Sequence, residues 1–184
     1  MIALGLTIFA AWLLADLLTG FVHWAEDRLA GDQLPILGEH VFAPNRLHHT
    51  QPLAFTRSGF WSRNASSMIA AGALFMVLAT AIAVASGPGV PGLIWVALVT
   101  MALAGAMANQ VHYWAHLPKR APLIVQGAQS IGLMQSRAHH SVHHAAPSRA
   151  RYCILTDWLN PVLDRYRVWA KLERLVPQRW LVDG

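Results

Sequence analysis

Four histidines stand within one short stretch, residues 137–144. Neutral imidazole is a common ligand for iron, zinc and copper. If this stretch is helical, His139 stacks one turn from His143, and His140 stacks one turn from His144. Two rows of nitrogen donors on one side of a helix have little use in packing. The stretch therefore predicts half of a multi-metal site.

A second pair of histidines ends the third apolar run of the chain. His112 and His116 lie four residues apart, which is the spacing of helical two-histidine metal sites. Asn109 falls one turn earlier on the same face, where it could hold a metal-bound water and so act as a catalytic residue. Taken alone, the pair could equally be two histidines that reach for the membrane interface.

Two shorter motifs add potential ligands. His48 and His49 are adjacent, and adjacent side chains on a helix point about 100° apart, so the pair could serve two metals, or one metal and one hydrogen-bonding partner. His23 and Asp27 lie one turn apart where the first apolar run ends, and we favour metal ligation for both. Asp16, on the same face, could orient a ligand from behind or bond a neighbouring helix.

The composition places these motifs in a membrane protein. Apolar residues make up 55% of the chain and charged residues 12%, against about 25% charged in an ordinary soluble domain. Three apolar runs, about 2–24, 65–86 and 93–114, are long enough to cross a bilayer as helices. Residues 117–184 mix apolar and basic side chains and predict interfacial helices. With Cys153 as the single cysteine, the ligands must be His, Asp or Glu.

The distribution of charge predicts the orientation. With three spans, all 14 lysines and arginines fall on one side of the membrane, which the positive-inside rule makes cytoplasmic. The ten histidines fall on the same side. We therefore predict one all-α membrane domain over 1–184, with its N-terminus outside, its C-terminus inside and a His-rich di-metal site at the cytoplasmic face. Orientation also explains the net charge of +5, so we expect no nucleic-acid partner.

The number of donors predicts two metals rather than one, because a zinc ion takes only four ligands. The candidate metal-ligating histidines are His23, His48, His49, His112, His116, His139, His140, His143 and His144. A site beside apolar spans suits a lipid substrate. The reaction that most needs two redox metals at a lipid chain is oxygen-dependent C–H cleavage, which gives a double bond or a hydroxyl group.

Taken in order, these motifs resemble the plasmanylethanolamine desaturase (Kua/CarF-type lipid desaturase) family. The matching stretches are 16–27, 48–52, 109–116, 139–147 and 152–160. The resemblance implies a non-haem di-iron desaturase that acts on a membrane phospholipid with O2 and a small electron donor of the ferredoxin or cytochrome b5 type. It carries the ligand role onto the candidate histidines above, and leaves open whether His139 and Asp27 bind metal or orient a ligand.

Several other residues receive expected roles. Asp16 and Asp157 are expected to fix imidazole tautomers by accepting a hydrogen bond from the ring nitrogen that does not bind the metal. Arg137, Arg149 and Arg151 could contact lipid phosphate or an acidic electron donor, although each could also be ordinary positive-inside charge.

The sequence leaves alternatives open. A di-iron lipid hydroxylase shares the first hydrogen abstraction with a desaturase. A zinc hydrolase would need a glutamate within a histidine motif, and Glu39 and Glu173 are not so placed. A non-enzymatic His-rich metal-binding membrane protein is the third alternative; as a transporter it should carry ligands near mid-membrane.

Overall fold

The structure is a computed structural model and describes residues 1–182. Nine α-helices make up most of this described part, joined by 3-10 and π-helical turns. They are α1 (Ile2–Arg28), α2 (Ala43–Thr50), α3 (Phe60–Ser86), α4 (Gly92–Ala106), α5 (Ala108–His116), α6 (Leu123–Ser130), α7 (Arg137–His144), α8 (Leu159–Arg165) and α9 (Val168–Leu175). The predicted all-α class is confirmed. The last two residues of the predicted 1–184 domain and of its 117–184 part lie outside the described residues.

Two helices, α1 and α3, are each long and apolar enough to cross a membrane. Both have 27 residues, and both extend past the apolar runs 2–24 and 65–86 at the end of the bundle that carries the histidines. For α1 the extension matters, because it keeps His23 and Asp27 on one rigid helix.

The third predicted span, 93–114, is not one straight helix. It is formed by α4 and α5, which are bent by 44° at Met107. At the bend the N–H of Gln110 bonds the carbonyl of Met107, and the Ser67 hydroxyl donates to the carbonyl of Ala106 at 3.0 Å. A side chain from α3 thus satisfies a carbonyl group that has left the helical pattern, as a helix break inside a membrane requires.

Helix α4 packs against both α1 and α3. The approach to α3 is close at Gly105, where an added Cβ would lie 3.2 Å from the Cβ of Ala71. A core of small and aliphatic residues joins α1, α4, α5 and the segment before α8 (Ala15, Ala104, Ala108, Val111, Ile154 and Leu155).

The segment 152–156 is buried although it has no regular secondary structure. Buried backbone groups need hydrogen-bond partners, and side chains supply them here. The Asp16 carboxylate accepts the N–H of Leu155 at 2.8 Å and the Thr156 hydroxyl at 2.5 Å. The Asn160 amide bonds both the N–H and the carbonyl of Cys153. Asp16 therefore holds this segment on α1, rather than orienting a histidine as expected.

Candidate metal centre

Five histidines from three helices form the first donor group. They are His48 of α2, His112 and His116 of α5, and His140 and His144 of α7, and their ligand atoms all lie within 4.8 Å of one another. The Nε2 atom of His140 is 2.8 Å from those of His112 and His116, and 2.9 Å from that of His144.

Hydrogen bonds among these rings cannot account for the convergence. A neutral imidazole carries one N–H, and each ring–ring bond needs one N–H and one lone pair, so five nitrogens that face one point are better matched by a cation. Burial, followed by the neighbouring imidazoles, lowers the pKa of His48 and of His140, and lowers the pKa of His144 to about 3. At neutral pH these rings are uncharged and have lone pairs free for a metal.

The second donor group contains His23, Asp27, His49 and His143, and its ligand atoms also lie within 4.8 Å of one another. The Asp27 carboxylate is 2.9 Å from His49 Nε2 and 3.3 Å from His143 Nε2. Within the described residues, the buried Nε2 of His23 makes no hydrogen bond, and the Nε2 of His143 and the Oδ2 of Asp27 have no hydrogen-bond partner besides this 3.3 Å contact with each other. Buried nitrogen and oxygen lone pairs that accept no hydrogen bond suit a metal cation.

Backbone carbonyls fix the tautomer of two rings in the second group. His23 Nδ1 lies 3.0 Å from the carbonyl oxygen of Tyr152, and His143 Nδ1 lies 2.8 Å from that of Ala150. A carbonyl oxygen only accepts, so each Nδ1 carries the proton and donates it. The Nε2 lone pairs are therefore left to face the donor group, as is usual for metal-ligating histidines.

The two donor groups adjoin each other. The rings of His49 and His144 lie 5.1 Å apart, and those of His23 and His112 lie 5.9 Å apart, between ring centres. Eight imidazoles and one carboxylate thus form a single cluster with two parts, and this arrangement suits two ions better than one.

The structure does not bring His139 into either group. Its ring is buried, with Nε2 3.0 Å from the side-chain amide nitrogen of Asn160 and Nδ1 2.8 Å from Nη1 of Arg151. His140 is the member of the adjacent pair that joins the five-histidine group. His40, the one histidine that is not among the nine candidate ligands, is exposed and lies outside both groups.

Asn109 is also outside both groups. Its side-chain amide donates to the carbonyl of Arg63 at 2.9 Å and lies 3.4 Å from the Ser66 hydroxyl, so it joins α5 to α3. These contacts use the amide nitrogen of Asn109, which also lines the cavity beside His112. The expected role of holding a metal-bound water stays a prediction.

Asp157 acts on the start of α7. Its carboxylate accepts the N–H of Ser136 at 2.9 Å, and the Ser136 hydroxyl accepts the N–H of His139 at 3.1 Å as the N-cap of α7. Asp157 lies 3.8 Å from His139 Nδ1. It therefore orders the helix that carries the ligands, and does not orient a donor of either group as expected.

The three arginines expected at a headgroup differ in position. Arg137 and Arg149 are exposed. Arg151 is half-buried and directed inward, with Nε 3.0 Å from Oδ2 of Asp164 and Nη1 2.8 Å from His139. These contacts use Nε and Nη1 of its guanidinium, and the expected contact with lipid phosphate or an electron donor stays a prediction for this residue.

A cavity of about 850 Å³ leads from the spans to the donor groups and reaches His23, His48 and His112. Its apolar wall comes from α1, α3 and α4 and includes Leu18, Val22, Leu74, Phe75, Leu78 and Leu98. Its polar wall includes Glu26, Glu39, His40, Asn45 and Arg63.

Glu26 was not predicted as a site residue. It stands one turn after His23 on α1, and Val22 precedes it by one turn on the cavity wall. The three-residue spacing between His23 and Glu26 is the sequence feature that could have identified Glu26 as a residue of the site.

A family model described as the lipid desaturase domain matches residues 12–183. The chain belongs to the lipid desaturase family. This confirms the resemblance drawn from the histidine motifs. Among its curated relatives, plasmanylethanolamine desaturase 1 of Mus musculus is 33% identical over 93% of this chain, and plasmanylethanolamine desaturase of Myxococcus xanthus is 31% identical over 92%. The chloroplastic fatty acid desaturase 4-like 1 of Arabidopsis thaliana is 34% identical over 92%.

This lipid desaturase family chain spans 64%, 59% and 55% of the lengths of those three relatives, respectively. No solved structure matches the chain significantly.

Proposed function

We propose that the chain is a non-haem di-iron membrane lipid desaturase, which uses O2 to form a double bond in a phospholipid chain. The observation that carries the proposal is the position of the two donor groups at the polar end of an apolar cavity. This arrangement would bring a lipid chain next to two redox metals.

We propose iron as the metal, since the resemblance to the desaturase family implies a di-iron centre and the reaction needs a redox metal. Eight imidazoles and one carboxylate, without thiolate, suit iron, zinc or copper. Zinc has no redox chemistry, whereas C–H cleavage by O2 needs a metal that changes oxidation state. When bound, two irons would supply that oxidising power. His48, His112, His116, His140 and His144 would hold one ion, and His23, Asp27, His49 and His143 the other.

The cavity fits the chain of a membrane lipid. Its wall along α3 runs from Ser62 to Leu78, which is about 24 Å at the helical rise of about 1.5 Å per residue. The histidines lie at the Ser62 end, where the polar wall also lies. We propose that the headgroup lies at this end and that the reacting carbons are near it. The product would then be a vinyl ether or an acyl double bond, as the names of the two kinds of relative suggest.

The electron balance requires a donor. Reducing O2 to two waters takes four electrons, of which two come from the two C–H bonds that are cleaved. The other two would come from a small carrier of the ferredoxin or cytochrome b5 type. Arg137 and Arg149, the exposed cations near α7, are proposed to contact this carrier or the lipid phosphate.

The distribution of charge supports a proposed orientation in the membrane. Arg28 ends α1, Arg63 lies in the first turns of α3, and the later lysines and arginines follow α5. By the positive-inside rule, we propose that the donor groups lie on the cytoplasmic side, with the N-terminus outside and the C-terminus inside.

The test is a lipid comparison by mass spectrometry in cells with and without the chain, grown with and without O2. A lipid that is lighter by two hydrogens, formed only with the chain and only with O2, is expected. His143→Ala should abolish this product, whereas Ser141→Ala, at an exposed position of the same helix, should preserve it. A product heavier by one oxygen would replace the proposal with a hydroxylase, and unchanged lipids would overturn it.

A further inference from the structure

We infer that Arg151 and Asp164 form a clamp that positions the second donor group. The inference rests on the proposed two-metal site and adds two residues that do not themselves belong to it. Asp164 belongs to α8, and Arg151 belongs to the irregular segment after α7.

The two residues that flank Arg151 hold ligands of the second group. The carbonyl of Ala150 accepts Nδ1–H of His143, and the carbonyl of Tyr152 accepts Nδ1–H of His23. The conformation of Arg151 therefore sets the relative position of two carbonyls that orient two different ligands.

The backbone of Arg151 is in an unfavourable conformation, with φ at +62°. The left-handed region is unfavourable for a residue with a Cβ. Such a conformation persists when the surroundings impose it, and it is often found where function needs it.

Asp164 supplies the constraint. One carboxylate oxygen lies 3.0 Å from Nε of Arg151, and the other accepts the backbone N–H of Arg151 at 3.3 Å. One carboxylate thus holds both the side chain and the backbone of the strained residue, and Nη1 of Arg151 reaches His139 as a third contact.

The clamp acts on one group only. Within the described residues, none of the five histidines of the first group makes a hydrogen bond to residues 148–152, whereas His23 and His143 of the second group bond to Tyr152 and Ala150. Loss of the clamp should therefore weaken one ion and spare the other. A merely structural role would weaken both ions together.

The experiment is a titration of the metal-free protein with Co²⁺ in detergent, followed by visible absorption and by the number of ions bound. Wild type should bind two ions per chain. Arg151→Ala and Asp164→Asn should bind one ion normally and the second about 10- to 100-fold more weakly, the range found when partners of metal ligands are removed. Arg151→Gly should weaken it less than Arg151→Ala, because glycine adopts positive φ at no cost.

The control is Arg165→Ala, an exposed cation next to Asp164, which should bind both ions as wild type does. The inference alone is overturned if wild type binds two ions while the clamp variants bind both as tightly, or lose both in parallel. A wild-type chain that binds fewer than two ions would overturn the two-metal proposal, and this inference with it.

Discussion

The rings of His23 and His143 lie 4.4 Å apart, centre to centre, although one is on the first span and the other on a short helix late in the chain. Asp27, one turn after His23, lies 3.3 Å from His143 Nε2. The second donor group therefore exists only when α1 and α7 are packed together. Metal binding at the second donor group therefore measures whether α1 and α7 are correctly packed as well as whether the ligands are intact.

Adjacent histidines of α7 should behave differently. His140→Ala should lose an ion and at least about 100-fold of the activity, since it removes a member of the five-histidine group. His139→Ala should retain two ions and lose about 1–3 kcal/mol of stability, because buried partners including Asn160 lose a hydrogen bond. Iron per chain and thermal unfolding of the two variants test this. If His139→Ala binds one ion fewer than wild type, His139 is a metal ligand.

Asp16 should matter for folding and not for metal. Asp16→Ala leaves the buried N–H of Leu155 and hydroxyl of Thr156 without their acceptor. Each buried unsatisfied donor costs about 1–3 kcal/mol, so a clear fall in the unfolding temperature is expected, with two ions still bound per folded chain. If the variant keeps its stability but loses an ion, Asp16 acts on the metal centre after all.

The metal-free protein should lose stability as the pH falls below about 6.5, the ordinary pKa of histidine. Burial lowers the pKa of His48 and of His140 in the folded state. Between the folded-state and unfolded-state pKa values of each histidine, the unfolded chain binds a proton that the folded chain does not. Each of the two residues should therefore lower the free energy of unfolding by up to about 1.4 kcal/mol per pH unit as the pH falls. Denaturation midpoints measured from pH 7.5 to 5 test this. A constant or rising midpoint would show that these rings are not buried and neutral.

The cavity should limit the length of the lipid chain. Ala70 of α3 lines the cavity, and Ala73 on the same helix does not. Ala70→Phe should lower activity on long chains by at least about tenfold and affect shorter chains less, with both ions retained. Ala73→Phe is the matched control and should resemble wild type. Equal activity of both variants on every chain length would place the substrate elsewhere.

The sequence predicted the helical class, the apolar runs and the convergence of the histidines. The helical class and the apolar runs depend on composition and on spacing within helices, and the convergence follows because all ten histidines fall on one side of the predicted spans. The spacing of His140 from His144 and of His112 from His116 is local, so the sequence alone identifies both pairs.

The remaining features depend on contacts between distant segments. Adjacent residues such as His139 and His140 point in different directions on a helix, and packing against α5 and α8 decides which one meets the other donors. The break at Met107 depends on a hydroxyl from α3. The inward turn of Arg151 depends on Asp164. In each case the contacting residues are far apart in the sequence, so no short sequence motif includes both.

The number of iron ions held by the purified chain decides whether the two donor groups form a two-metal centre. Metal-free protein is loaded with Fe²⁺ under nitrogen, unbound iron is removed, and iron and protein are measured together. We expect two ions per chain in wild type and one in His143→Ala. One ion or none in wild type, or two in His143→Ala, would contradict this expectation.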